Sequence, residues 1–445
     1  MFAACNDAGE NSRSLTAKAV RDDNSEIAQS DITLEVLNSP LQEDQFISTQ
    51  ASPLSYSQFR VSKVQSRLLM TATSIAISTE VAKAPETSAR LFSLDVFRGA
   101  TIAAMILVNN PGNSASYWPL RHAKWNGWTP TDLIFPFFLF IVGVSLVLSF
   151  RSGLRRGDST RSLVWHAFKR SVTIFTLGLL LNGFPSFHLA TWRIPGVLQR
   201  IALAYFAAAM ITLYCKTYAR ALWIAALLVG YWLLMRYVPV PGYGVPGRDM
   251  AFLDPNANLA AYLDRKLMMG HLYEGTRDPE GLLSTLPAIA TTLCGVLTGE
   301  WLGSKHNPTQ KMARMFAAGA TALVAGEVWS IWFPFNKNLW TSSYVLFTAG
   351  CALLCLAICY WITDIQQHRG WWTIPLVILG TNAIAAYVLG ELVGVPFHWQ
   401  DYIFQHGFAR GFSPAMASLL YSLTIVGLCF LPVWWMYRRR IFLKV

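Results

Sequence analysis

Residues 132–150 read DLIFPFFLFIVGVSLVLSF: one charge at the head, Asp132, and then an unbroken apolar run. A helix needs about 20 such residues to cross roughly 30 Å of hydrocarbon. Comparable stretches lie on either side and predict spans at about 94–110, 132–150, 168–184, 196–214, 220–238, 282–299, 312–333, 341–363, 373–392 and 413–436. Irregular backbone cannot face lipid, so these segments must be helices. The expected fold is all-α, a polytopic transmembrane helix bundle of about 10–11 helices, the eleventh being a broken span within the Gly/Pro-rich stretches.

Composition points the same way. The chain is 53% hydrophobic and 14% charged, against about 25% charged in soluble proteins, and its mean hydropathy is +0.35. The 17 tryptophans and 16 tyrosines suit two membrane–water interfaces. Of seven cysteines, all but Cys5 sit in or beside apolar runs and none forms a CxxC pair, so they read as small packing residues rather than metal ligands or disulfides.

The net charge of +11 calls for no nucleic acid, because the basic residues fall in loops that topology explains. Arg151, Arg155, Arg156, Arg161, Lys169 and Arg170 lie between the second and third spans. Lys216 with Arg220, Lys305 with Lys311 and Arg314, Arg369, and the tail Arg438 to Arg440 with Lys444 follow in even-numbered positions. Ten spans with both termini cytoplasmic put them all on one side, and His122 on the other.

Residues 1–90 are polar, lack apolar periodicity and resemble no signal peptide, so they read as a disordered segment before a membrane domain at 91–445. Met70 precedes a short polar leader and the first span, which suggests that translation begins there and that residues 1–69 are a start-site artefact. A peptide from residues 1–60 in the native protein would refute this.

Chemistry concentrates between the first two spans, where Asn109, Asn110, Trp125, Asn126 and Asp132 accompany His122. Histidine is the side chain most often used as a general base, although a single histidine in a polar loop is more often structural. Asp95 and Arg98, three apart on one helix face, read as an intrahelical ion pair or as a contact from Arg98 to an anionic ligand. Arg193 and Arg200 either snorkel or bind an anion. Asp278 and Glu280 either open a helix or wall a substrate mouth. Asn382, with Tyr387 and Glu391 in the ninth span, reads as helix packing or as part of the site.

Several of these segments together resemble the heparan-α-glucosaminide N-acetyltransferase family of transmembrane acyltransferases, in its bacterial branch. They are Leu94-Asp95-x-Phe97-Arg98-Gly99, Val108-Asn109, Tyr117-Trp118 leading to His122-Ala123-x-Trp125-Asn126-Gly127, and Asp132-Leu133-x-Phe135-Pro136. The run Arg193 to Arg200, Asp278-Pro279-Glu280-Gly281, Asn338-Leu339-Trp340-x-x-Ser343-Tyr344 and Gly380-x-Asn382-x-x-x-x-Tyr387 follow in order. The resemblance implies transfer of an acetyl group from cytosolic acetyl-CoA to an amino sugar or glycan beyond the membrane, without a metal. It matches the family's active-site histidine to His122 and the asparagine ending its first span to Asn109.

On that basis His122, Asn109, Asn126 and Asp132 are the expected catalytic residues, with His122 as general base or as an acetyl-accepting nucleophile. Trp125, Arg193, Arg200, Asp278, Glu280 and Asn382 are the expected substrate contacts, and Arg98 the expected contact to acetyl-CoA. The implied location is a bacterial inner membrane; a homo-oligomer is left open. Two rivals stand beside this reading: a transporter or exporter of a sugar or lipid-linked glycan, and an O-acyltransferase of a cell-envelope polysaccharide.

Overall fold

The computed structural model describes residues 91–394 and 404–443. The segment 1–90, with its expected disorder and the Met70 start, lies outside the described residues.

Every stretch expected to span is helical. In chain order the helices are α1 Phe92–Asn109, α2 Ile134–Arg155, α3 Thr160–Gly183, α4 Val197–Tyr214, α5 Thr217–Tyr237 and α6 Leu259–Met268. They continue as α7 Thr285–Leu302, α8 Pro308–Ser330, α9 Ser342–Tyr360, α10 Thr373–Thr381, α11 Ala383–Gly394 and α12 Pro414–Arg438. A 3-10 turn, Pro130–Leu133, leads into α2, and a π turn, Trp361–Ile365, prolongs α9.

Among the described residues six helices are long and apolar enough to cross a membrane alone: α1, α2 with its 3-10 turn, α4, α5, α9 with its π turn, and α12. The α10–α11 pair, bent by 88°, is either a seventh, broken span or a re-entrant loop. The chain is therefore a polytopic helical membrane protein. The other three expected spans are helices of lower apolarity. Helix α3 carries Arg161, Lys169 and Arg170. Helix α7 carries Thr291, Thr292 and Thr298, whose hydroxyls donate to carbonyls one turn back at 3.3, 3.2 and 2.9 Å, which satisfies them inside the helix.

Glycines set how closely the helices approach. A side chain at Gly143 on α2 would collide with the Thr292 carbonyl of α7, and one at Gly295 on α7 with the Phe140 carbonyl of α2. Likewise α1 meets α10 where Gly99 abuts the Leu376 carbonyl and Gly380 abuts that of Asp95. Without a hydrophobic force between helices in lipid, such close backbone contact is a main source of association. The interior so formed buries Ile102, Leu139, Ala288, Trp340 and Ala386 completely.

The bend between α10 and α11 falls at Asn382, which is buried. Its amide donates to the Ile441 carbonyl at 3.1 Å, and its oxygen accepts from the Leu443 N–H at 3.0 Å. The expected substrate contact at Asn382 is thus engaged with the tail after α12.

Short helix α6 packs over the loops on the His122 face. Asn258 caps it, accepting from the Ala261 N–H at 2.9 Å, and Asp264 is buried with its carboxylate accepting from the Leu282 N–H at 2.9 Å. Burial pushes the Asp264 carboxyl up to about 6, with Asp278 adding to the rise and the Leu282 N–H and Arg200 opposing it.

Two predictions follow from this packing. Gly295→Leu should cost about 1–3 kcal/mol through overpacking, read as a lower unfolding temperature in detergent. Gly427→Leu on α12, which faces open space, should leave that temperature unchanged; equal losses would refute the close-contact argument. For Asp264 the folded chain favours the protonated acid, so its penalty is absent below the usual carboxylate range and grows as pH rises through about 6. Asp264→Asn should therefore stabilise the protein at about pH 8, by on the order of 2 kcal/mol, and the gain should vanish at about pH 4.

Candidate active site

The segment after α1 is fixed by a single carboxylate. Thr129 and Asp132 form a capping box at the 3-10 turn, with Pro130 in its first position. Asp132 Oδ2 accepts from the backbone N–H of Thr129 at 3.0 Å and of Ala123 at 3.0 Å. The Thr129 hydroxyl lies 3.1 Å from the same oxygen and donates to the Arg121 carbonyl at 2.6 Å. With Oδ2 committed, Oδ1 faces the His122 ring, 2.7 Å from Nδ1. Asp132 is 1% exposed, while the His122 side chain is half exposed. A buried carboxylate holding one ring nitrogen fixes the orientation of the imidazole.

A third charge completes the group. Lys337, from the loop between α8 and α9, places Nζ 3.0 Å from His122 Nδ1, 3.3 Å from Nε2 and 3.6 Å from Asp132 Oδ1. Burial pulls the Lys337 ammonium below its usual range, against the opposing pull of Asp132 and Glu280. Next to it, buried Asn336 donates to Asn126 Oδ1 at 3.1 Å and accepts from the Leu339 N–H at 2.9 Å. The Phe335 carbonyl takes the Gly127 N–H at 2.8 Å. Residues 335–337 thus dock the His122 loop. Sequence reasoning missed Lys337; the available signal was the polar run Asn336-Lys337-Asn338 directly before a motif already singled out.

The other expected residues separate. Asn109 donates to Glu391 Oε1 at 3.1 Å rather than to His122. Trp125 donates to the Leu253 carbonyl at 2.8 Å and lies under the Arg277 guanidinium. Arg193 grips Asp278 with two bonds, 2.7 and 2.9 Å, and Glu280 at 2.5 Å. Burial disfavours the charge on Arg193, but Asp278 and Glu280 outweigh it and raise its pKa. Arg200 is sealed in the interior, bonded to the Gly281 carbonyl at 3.1 Å and to the Ser284 hydroxyl, with its guanidinium over the Trp340 ring. These four expected substrate contacts therefore tie the loop before α4 and the first turn of α4 to the loop before α7. Arg98 bonds Asp95 at 3.2 Å, Ser145 at 2.7 Å and the Gly380 carbonyl at 3.2 Å.

Two cavities enter the bundle from opposite ends. The larger, about 740 Å³, has Arg156, His166, Lys169 and Arg170 at the α2–α3 end; it passes Arg98 and Ser145 and continues between Phe138, Ile174 and Ile201 to Leu198. The second, about 450 Å³, opens near the end of α1 and is lined by Asn109, Asn182, Gln199, Tyr387 and Glu391. Leu198 lines both. His122 is in the lining of neither.

Residues 90–333 match the family profile described as heparan-alpha-glucosaminide N-acetyltransferase, catalytic. The chain is 32% identical over 412 residues to heparan-alpha-glucosaminide N-acetyltransferase of Homo sapiens, covering 80% of this chain and 60% of that protein. With the Mus musculus protein of the same name it shares 33% identity over 367 residues, 70% of this chain and 55% of the other. The chain thus spans somewhat more than half the length of these relatives. A match over residues 90–333, which include His122 and Asp132, establishes that the chain belongs to the heparan-alpha-glucosaminide N-acetyltransferase catalytic family.

Proposed function

We propose that this chain is a membrane acetyltransferase that takes the acetyl group of acetyl-CoA from the α2–α3 end of the bundle and delivers it to the amine of an amino sugar or glycan on the His122 face. The observation that carries this reading is the larger cavity. Its mouth is cationic, since Arg156, Lys169 and Arg170 outnumber the Asp158 paired with Arg156, and its interior is mostly apolar. A polyanionic nucleotide suits the first and a pantetheine arm the second. Arg98, bonded to both Asp95 and Ser145, presents its guanidinium part-way along. The cavity reaches Leu198, where the second, polar cavity begins, so a thioester and an amine arriving from opposite ends can meet.

Acyl transfer to an amine needs a proton acceptor and a donor for the oxyanion. His122 lies outside both cavity linings, so the acceptor amine must be brought up to the ring; there, with Nδ1 held by Asp132, Nε2 takes the amine proton as the amine nitrogen attacks the thioester carbonyl. The Asn109 amide donates to the oxyanion that forms. As the C–S bond breaks, the imidazolium returns its proton to the leaving thiolate. The basic loops between spans support an inner-membrane location with both termini on the acetyl-CoA side.

His122→Ala should leave membrane yield and acetyl-CoA binding intact and lower transfer by about 10²–10⁴-fold. Retained turnover would remove His122 from the mechanism and shift the chemistry to the Asn109–Glu391 cavity. Direct attack predicts intersecting double-reciprocal lines when both substrates are varied, and parallel lines would favour an acetyl-histidine. Replacing Arg156, Lys169 and Arg170 together by Gln should raise KM for acetyl-CoA about tenfold or more and flatten its salt dependence, with kcat little changed.

A further inference from the structure

We infer that the second cavity is a receptor for a protonated primary amine on a sugar, with Glu391 as its anionic contact and Gln199 as a hydrogen-bonding partner for the ring substituents. Three observations carry this. First, among the described residues Glu391 is the one acidic side chain in the lining, and no lysine or arginine among them lines it. A carboxylate in such a setting calls for a cation, and a ligand ammonium supplies one through a charge-assisted hydrogen bond.

Second, the carboxylate is held in place without being saturated. The Asn109 amide donates to Oε1 at 3.1 Å, and the Tyr387 hydroxyl also bonds Glu391. A carboxylate offers about four acceptor positions, so room remains for an ammonium. Arg193, the nearest competing cation, is committed to Asp278 and Glu280.

Third, Gln199 is 3% exposed, lines the cavity, and neither its side-chain oxygen nor its nitrogen has a protein partner. Buried amides are ordinarily paired. Both atoms are shielded at the cavity wall beside Gly178 and Gly196, and a sugar hydroxyl that draws the side chain inward can supply either missing partner. Asn182 and Tyr273 add further polar edges. A volume of about 450 Å³ is in the usual range for small-ligand sites.

The choice of an amino sugar over another amine rests on the acetyltransferase reading; the recognition of an ammonium by Glu391 does not. The test uses the full chain in nanodiscs, with glucosamine, N-acetylglucosamine and glucose as probes and acetyl-CoA binding as an independent check on folding. Wild type should bind glucosamine at least tenfold more tightly than the two neutral sugars. Glu391→Gln, which keeps the shape and removes the charge, should abolish that preference and leave acetyl-CoA binding unchanged. Glu391→Asp should restore part of it. Gln199→Ala should weaken all three sugars by similar factors.

Equal binding of glucosamine and glucose by wild type would overturn the inference, as would an unchanged preference in Glu391→Gln. Should Glu391→Gln fail to bind acetyl-CoA, the Glu391→Asp and Gln199→Ala results decide by the same criteria. Glu391-dependent glucosamine binding without any acetyl transfer by wild type would sink the acetyltransferase reading while supporting this site. In an active enzyme the Glu391→Gln change should raise KM for the amine and spare kcat.

Discussion

Inside hydrocarbon each peptide group must find its partner within its own helix, so a helix that breaks must break against protein. The bend at Asn382 obeys this constraint and shapes the molecule around itself. Between α10 and α11 the chain turns by 88°. The tail after α12 returns to bond the Asn382 side chain through Ile441 and Leu443, and Gly99 and Gly380 let α1 approach α10 within backbone contact. Residues on both sides of the bend, Thr381 and Ala383, line the larger cavity. Without the break, an unbroken span in this position would fill part of the space that separates the two mouths.

Closure of the opposite face follows a different logic, one of charge rather than backbone. Arg193 with Asp278 and Glu280 ties the loop before α4, and Arg200 with Gly281 and Ser284 ties the first turn of α4, to the loop before α7. A bidentate guanidinium–carboxylate contact fixes both distance and angle. Such a clamp fits where two loops must be held over a cavity that cannot be packed shut. Of the charged residues expected to meet a ligand, Arg193, Asp278 and Glu280 bond one another, while Arg200 bonds a carbonyl and a hydroxyl.

This explains what could be read from the residues alone. Apolar runs of spanning length place the helices well, because length and hydropathy are local properties. The number that cross unaided is harder, since threonines on α7 hide their hydroxyls against their own helix and arginines on α3 sit at its basic end. His122 and Asp132 are ten residues apart and joined by a capping box whose pattern, Thr129 to Asp132, is visible in the sequence. Lys337 joins them across 215 residues and Glu391 meets Asn109 across 282. No periodicity carries such pairings. Gln199 was visible only as a residue near a helix start, and its lack of any partner is a property of the folded chain.

The two polar groups on the His122 face differ in a way that separates their tasks. Around His122, a lysine and an aspartate bracket the imidazole, and every oxygen of the aspartate is engaged. That arrangement fixes one ring in one pose and suits a group that moves a proton. Around Glu391, the carboxylate is only partly engaged and an unpartnered amide stands nearby in the same lining. That arrangement suits a group that receives a ligand. Pre-organisation belongs where charge develops during reaction, and unsatisfied polarity belongs where a substrate brings the missing partners. On the acetyltransferase reading proposed above, the Glu391 group would hold the amine and the His122 group would take its proton, two tasks given to two separate clusters on one face.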